Sequence, residues 1–132
     1  MRVLVVEDEK LLIKLDWYIN DAHRAAFTYN YNDGGSVVES DGDSDEYEFS
    51  DHYYERGATF DSYVFQFFSD WTDSFSTEVR AGYSELDNRQ QNIGPGGLGE
   101  VQIRVNAATV FLGVDDSRQS NNLNYDTTFF KL

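Results

Sequence analysis

The sequence predicts an all-β protein of antiparallel strands and hairpins, and more narrowly a segment of a transmembrane β-barrel. Three observations carry that expectation. Apolar and polar residues alternate along several stretches, the period of a strand whose side chains point to opposite faces. Aromatic residues make up 16% of the chain, with nine Tyr and ten Phe against a single Pro, a composition that suits strands. Short turns alternate with long polar loops, the asymmetry of barrels in outer membranes.

Composition excludes several classes. The 132 residues suffice for one domain, 1–132, expected as a partial β-barrel of about five to seven strands. A net charge of −14 repels phosphates, so nucleic acid is not an expected partner. There is no Cys, which removes disulfides and thiolate metal sites. Hydrophobic residues total 40%, and no apolar run approaches the roughly 18 residues of a membrane-spanning helix. The apolar start Val3–Val6 is soon followed by Glu7 and Asp8 and is too short for the apolar region of a signal peptide.

Met1–Leu12, MRVLVVEDEKLL, resembles the opening of a response-regulator receiver domain. In that family an apolar strand leads to acids that hold magnesium beside a phosphorylated Asp, and Asp51 lies at about the corresponding distance. The pattern stops there. Asp51 sits in EFSDHYY, the lysines are Lys10, Lys14 and Lys131, and no amphipathic helix alternates with strands. The expectation is a strand start with solvated charges.

From Leu11 the alternation is regular. Leu11, Ile13, Leu15, Trp17 and Ile19 share one face; Lys10, Leu12, Lys14, Asp16, Tyr18 and Asn20 share the other. A turn at Asn20–His23 leads to a return strand with Ala25, Phe27, Tyr29 and Tyr31 on one face and Ala26, Thr28, Asn30 and Asn32 opposite. A long polar loop is expected near 33–50. Glu39, Asp41, Asp43, Asp45, Glu46, Glu48, Asp51 and Glu55 crowd this region. The spacing Asp41-x-Asp43-x-Asp45 suggests loose cation binding, but an EF-hand needs Gly at its sixth position and Glu at its twelfth. Glu46 and His52 stand there instead.

Tyr47–Thr59 is expected to rise into a strand beginning near Phe60. The stretch Ser62–Tyr83 then repeats the hairpin plan. Tyr63, Phe65 and Phe67 oppose Ser62, Val64 and Gln66, with Val64 and Phe68 out of place on the polar side. A turn is expected over Ser69–Asp73, from local Asp, Ser and Thr. In the return strand Phe75, Thr77, Val79, Ala81 and Tyr83 share the apolar face, and Ser76, Glu78, Arg80, Gly82 and Ser84 the wet one. A dry core would not tolerate Glu78 and Arg80 unpaired; a water-filled lumen would. A second long loop is expected near 85–99. Its Gly94-Pro95-Gly96-Gly97 lacks the Lys-Ser/Thr and helix start of a phosphate loop. Strands are expected at Glu100–Val105, Ala107–Val114 and Leu123–Leu132, with a polar loop at Asp115–Asn122.

Three stretches resemble TonB-dependent receptors of the bacterial outer membrane, including the Oar-like subgroup: Asp8–Gly34, Tyr54–Gln90 and Phe111–Leu132. The resemblance implies part of a large plugged barrel, non-catalytic, that takes up scarce ligands with energy passed on by TonB. It implies an outer-membrane location, with the lipid bilayer and the TonB system as partners. The chain departs from the family in having no recognisable plug or TonB box, and in ending on Leu132 rather than an aromatic residue. No catalytic, cofactor-binding or metal residue is carried over. The alternative is a small soluble antiparallel β module that binds through an acidic, cation-seeking loop.

Overall fold

The computed structural model describes residues 10–39, 42–94, 97–118 and 121–132. Met1–Val6, Glu7, Asp8, Asp41, Pro95 and Gly96 therefore lie outside the described residues. Strand β1, Lys10–Tyr18, turns through 19–22 into β2, His23–Val38. Their register pairs Leu11 with Tyr31, Ile13 with Tyr29, Leu15 with Phe27 and Trp17 with Ala25. Odd residues meet odd residues, so the apolar side chains of the two strands share one face, as their alternation requires.

The chain is all-β and antiparallel in plan, with eight strands among the described residues. After β2 come β3 (Glu46–Glu48), a single 3-10 turn at Ser50–His52, β4 (Tyr54–Thr72), β5 (Phe75–Asn92), β6 (Val101–Val105), β7 (Ala108–Leu112) and β8 (Leu123–Lys131). One sheet has the order β1-β2-β4-β5-β8, and a second the order β3-β7-β6. The β3–β7 pair is parallel, with Tyr47 opposite Val110. The expected strand boundaries need correction in four places. Residues 33–38 continue β2, and residues 85–92 continue β5, so the long loops are shorter than their polarity suggested. β4 begins at Tyr54 rather than near Phe60, and the β4–β5 turn is Asp73–Ser74 rather than Ser69–Asp73.

The chain divides into two compact units. The first comprises Met1–Asp33, Thr59–Asp87 and Asn124–Leu132; the second comprises Gly34–Ala58 and Asn88–Leu123. In the first unit, contacts between β2 and β4 run in opposite chain order. His23 Nδ1 lies 3.1 Å from Ser69 Oγ, the Tyr29 and Tyr63 rings are 5.0 Å apart, and Thr59 Oγ1 donates to Asp33 Oδ1 at 3.3 Å. This places the odd residues of β2 and β4 on a common face. Across the β4–β5 hairpin, Trp71 Nε1 donates to Thr77 Oγ1 at 2.9 Å, which extends the same face to β5.

The polar face explains the residue that broke the alternation of β4. The Arg24 guanidinium lies 4.3 Å from the Phe68 ring centroid and 6.0 Å from that of Tyr18. A cation over an aromatic face gains about 1 kcal/mol when partly desolvated, so Phe68 serves as a platform for Arg24 on the even face. Glu78 and Arg80 pair with each other along β5, both exposed. Exposed pairs contribute little to stability.

On β5, Gly82 is buried because the Phe129 ring of β8 lies directly over it; any Cβ at this position would overlap that ring. Replacing Gly82 with Val should push Phe129 aside and loosen β8. Amide hydrogen exchange should then quicken along 123–131 while the β1–β2 hairpin keeps its protection. Unchanged exchange in β8 would contradict this packing.

Candidate functional site

Two features of the structure are candidates for a functional site, one in each unit. The first is the odd face of the first unit. From β1 to β5 it carries Leu15, Trp17, Phe27, Phe65, Phe67, Trp71, Phe75 and Val79. Most of its large aromatic side chains are open to the surroundings: Trp17 is 65% exposed, Phe65 46%, Trp71 56% and Phe75 58%. Among the described residues of the chain, the buried apolar side chains are Ala25, Ala26, Tyr54 and Val114. The sheet therefore does not close over a protein core of its own.

The face is ordered along the strands. Trp17 and Trp71 stand near the two tight turns at 19–22 and 73–74. The middle of the face is aliphatic and Phe-rich. Beyond it come Tyr29, Tyr31, Tyr63 and Tyr83, and beyond those the acids Asp33, Asp61, Glu85 and Asp87, all at odd positions. The tyrosines bridge this boundary: Tyr29 Oη donates to Asp61 Oδ1 at 2.6 Å, and Tyr83 Oη donates to Glu85 Oε1 at 2.7 Å. Each ring lies against the apolar side while its hydroxyl reaches the polar one.

The second feature lies in the second unit. Among the described residues, His52, Glu100 and Asp115 form a group whose potential ligand atoms all fall within 4.8 Å of one another. The backbone brings them together. The β6–β7 hairpin turns at Asn106, whose φ is 58°, a value Asn tolerates better than most residues. Val101 pairs with Leu112, so Glu100, just before β6, comes level with the end of β7, near Asp115. The parallel β3–β7 pair places Glu48 opposite Phe111, and Phe49 N donates to the Phe111 carbonyl at 3.4 Å. The 3-10 turn that follows sets the His52 ring 5.3 Å from the Phe111 ring.

His52 is 6% exposed and Asp115 7%. His52 Nδ1 lies 3.3 Å from the Gly113 carbonyl oxygen, which can only accept, so Nδ1 carries the proton of this contact. Nε2 faces Asp115 Oδ2 across 3.5 Å. Asp115 Oδ1 accepts from both the backbone N–H and the hydroxyl of Ser117, each at 2.7 Å. Glu100 Oε2 accepts from Asp116 N at 3.1 Å, and its Oε1 from Gln102. Arg118 stands behind the group, with Nε 3.8 Å from Asp115 Oδ2 and its guanidinium 5.0 Å over the Tyr54 ring.

The acids singled out from the sequence are not members of this group. Asp41 is outside the described residues. Glu39, Asp43, Asp45 and Asp51 are exposed. Asp43 N donates to Glu46 Oε2 at 2.9 Å, and the Asp45 carbonyl accepts from Thr109 N at 2.9 Å. Glu55 pairs with Arg89 at 3.2 Å. Glu46 and Glu48 line the cleft that contains His52, Glu100 and Asp115. Spacing alone did not find this group, because its three members come from separate segments that only strand pairing brings together.

Gly113 makes the His52 contact possible. Its φ is +79°, and an added Cβ would overlap the Gly99 carbonyl oxygen. Gly113→Ala should destabilise the second unit by about 1–2 kcal/mol from the left-handed backbone alone, with more from the overlap. Gly99→Ala, with open space at its Cβ, should cost much less. Urea unfolding followed by circular dichroism separates the two; equal midpoints would contradict this account. Comparison with family models, curated proteins and solved structures found no match for the chain.

Proposed function

We propose that this chain is a segment of an outer-membrane receptor barrel of the TonB-dependent kind, non-catalytic, whose first unit crosses the bilayer. The observation that carries the proposal is the banding of the odd face: Trp, then aliphatic and Phe residues, then Tyr, then carboxylates. Barrel strands in lipid show such an apolar band between aromatic girdles, with tyrosine and tryptophan at the level of the headgroups. The dimensions support it. From Tyr63 to Trp71 β4 advances about 26 Å at ~3.3 Å per residue, or about 20 Å along the normal at a tilt near 40°, against a band about 25 Å tall.

The even face supports the same reading. Lys10, Lys14, Arg24, Glu78 and Arg80 lie on it, where a lumen would keep them in water. No helix among the described residues is long and apolar enough to cross a membrane, which says nothing about crossing by strands. β1 and β8 are the edges of the five-stranded sheet. In hydrocarbon, unpaired edge groups cost several kcal/mol each, so in a membrane these edges require further strands or a second copy to pair with. The resemblance of Asp8–Gly34, Tyr54–Gln90 and Phe111–Leu132 to TonB-dependent receptors favours that family over other barrels.

The two tryptophans of the chain report on this proposal. With the chain reconstituted in vesicles, single-tryptophan variants Trp17→Phe and Trp71→Phe should each be quenched by lipids brominated near the headgroup. Bromine at mid-chain should quench them less. Strong quenching by aqueous iodide, with none by either lipid, would overturn the reading.

A further inference from the structure

We propose that His52, Glu100 and Asp115 bind a divalent transition-metal ion of the zinc class, which ties the 3-10 turn to the β6–β7 hairpin. The argument begins with the imidazole. Its Nδ1 proton is directed at the Gly113 carbonyl, the outer partner that metal-ligating histidines characteristically use to fix the ring and its tautomer. In the neutral imidazole this leaves Nε2 as a lone pair. His52 as a residue is buried, and its Nε2 faces a carboxylate oxygen of Asp115 at 3.5 Å. Among the described residues no group donates a hydrogen bond to Nε2. With Nε2 unprotonated, two electron-rich atoms face each other, and a cation between them removes the repulsion.

The spacing suits a metal better than a direct hydrogen bond. Zinc takes histidine nitrogen at about 2.0–2.1 Å and carboxylate oxygen at about 2.0–2.2 Å, and tetrahedral bonds of that length set two ligand atoms about 3.4 Å apart. Nε2 and Oδ2 are 3.5 Å apart, longer than an ordinary N–H···O contact. The Glu100 carboxylate completes three protein ligands within 4.8 Å, a set that leaves one position for water. Ser117 engages only Oδ1 of Asp115, so Oδ2 is the oxygen turned toward the imidazole.

Ligand type selects the ion. An imidazole with two carboxylates favours zinc and its first-row neighbours; calcium and magnesium prefer oxygen alone. The electrostatics also favour a cation. Glu46, Glu48 and Asp116 line the same cleft and outweigh the positive charge of Arg118, which reaches Asp115 only at 3.8 Å.

The test is a zinc titration of the full chain against a chromogenic chelator, with His23→Gln, His52→Gln and Asp115→Asn compared to the parent. The parent and His23→Gln should bind one zinc ion with equal affinity, and the other two variants at least tenfold more weakly. Calcium and magnesium in excess should not displace the metal. Absence of saturable one-to-one binding, or equal affinity in His52→Gln, would overturn the proposal. Zinc-edge X-ray absorption on His23→Gln keeps the test independent of whether the other variants fold. His52 is then the only histidine of the chain, so one imidazole nitrogen in the first shell supports the site and an all-oxygen shell overturns it.

Discussion

The structure depends on a matching of parity between strands. β1 and β2 pair so that Leu11, Ile13, Leu15 and Trp17 meet Tyr31, Tyr29, Phe27 and Ala25. A slip of one residue would set this apolar row against Lys14, Asn30 and their neighbours, because side chains alternate with a period of two. The contacts from His23 to Ser69 and from Tyr29 to Tyr63 carry the same parity into β4. Trp71 and Thr77 carry it into β5. Four strands therefore share one aromatic face, and the charges of the first unit are confined largely to the other face or to the ends of this one.

That confinement gives the two units different physical tasks. The first offers a broad apolar surface and few buried side chains, so it gains stability only if something other than water covers the surface. The second is built from short strands, tight turns and polar contacts: Arg89 with Glu55, Arg118 with Tyr54, and the group around His52. Glycines make its close approaches possible. Gly57 and Gly35 leave room for the Arg89 side chain, and Gly113 lets the chain turn back so that its carbonyl meets His52.

The parity and the faces of both hairpins were legible in the sequence, because Leu11–Trp17, Ala25–Tyr31 and Phe75–Tyr83 alternate cleanly. The ends of the strands were not. Asp33-Gly34-Gly35-Ser36 and Glu85-Leu86-Asp87-Asn88 have the composition of loops, yet they continue β2 and β5, since pairing with a neighbouring strand overrides local preference. Phe68 breaks the pattern because its ring carries the Arg24 guanidinium, a partner that strand alternation does not reveal. The His52 group was hidden for a different reason. Its members belong to a 3-10 turn, the residue before β6 and the loop after β7, and no local spacing connects them. The acids from Asp43 to Glu48 are conspicuous in the sequence, yet Asp43 and Asp45 are turned to solvent while Glu46 and Glu48 line the cleft.

The central claim is that the two faces of β5 meet different media. The chain has no cysteine of its own, so single cysteines can be placed in turn at Ser76, Thr77, Glu78, Val79, Arg80 and Ala81 and spin-labelled in reconstituted vesicles. Collision rates with oxygen, which concentrates in lipid, and with a water-soluble nickel complex then measure the surroundings of each label. The account predicts alternation: Thr77, Val79 and Ala81 accessible to oxygen, and Ser76, Glu78 and Arg80 to nickel. Equal access of nickel to both sets of positions would contradict it.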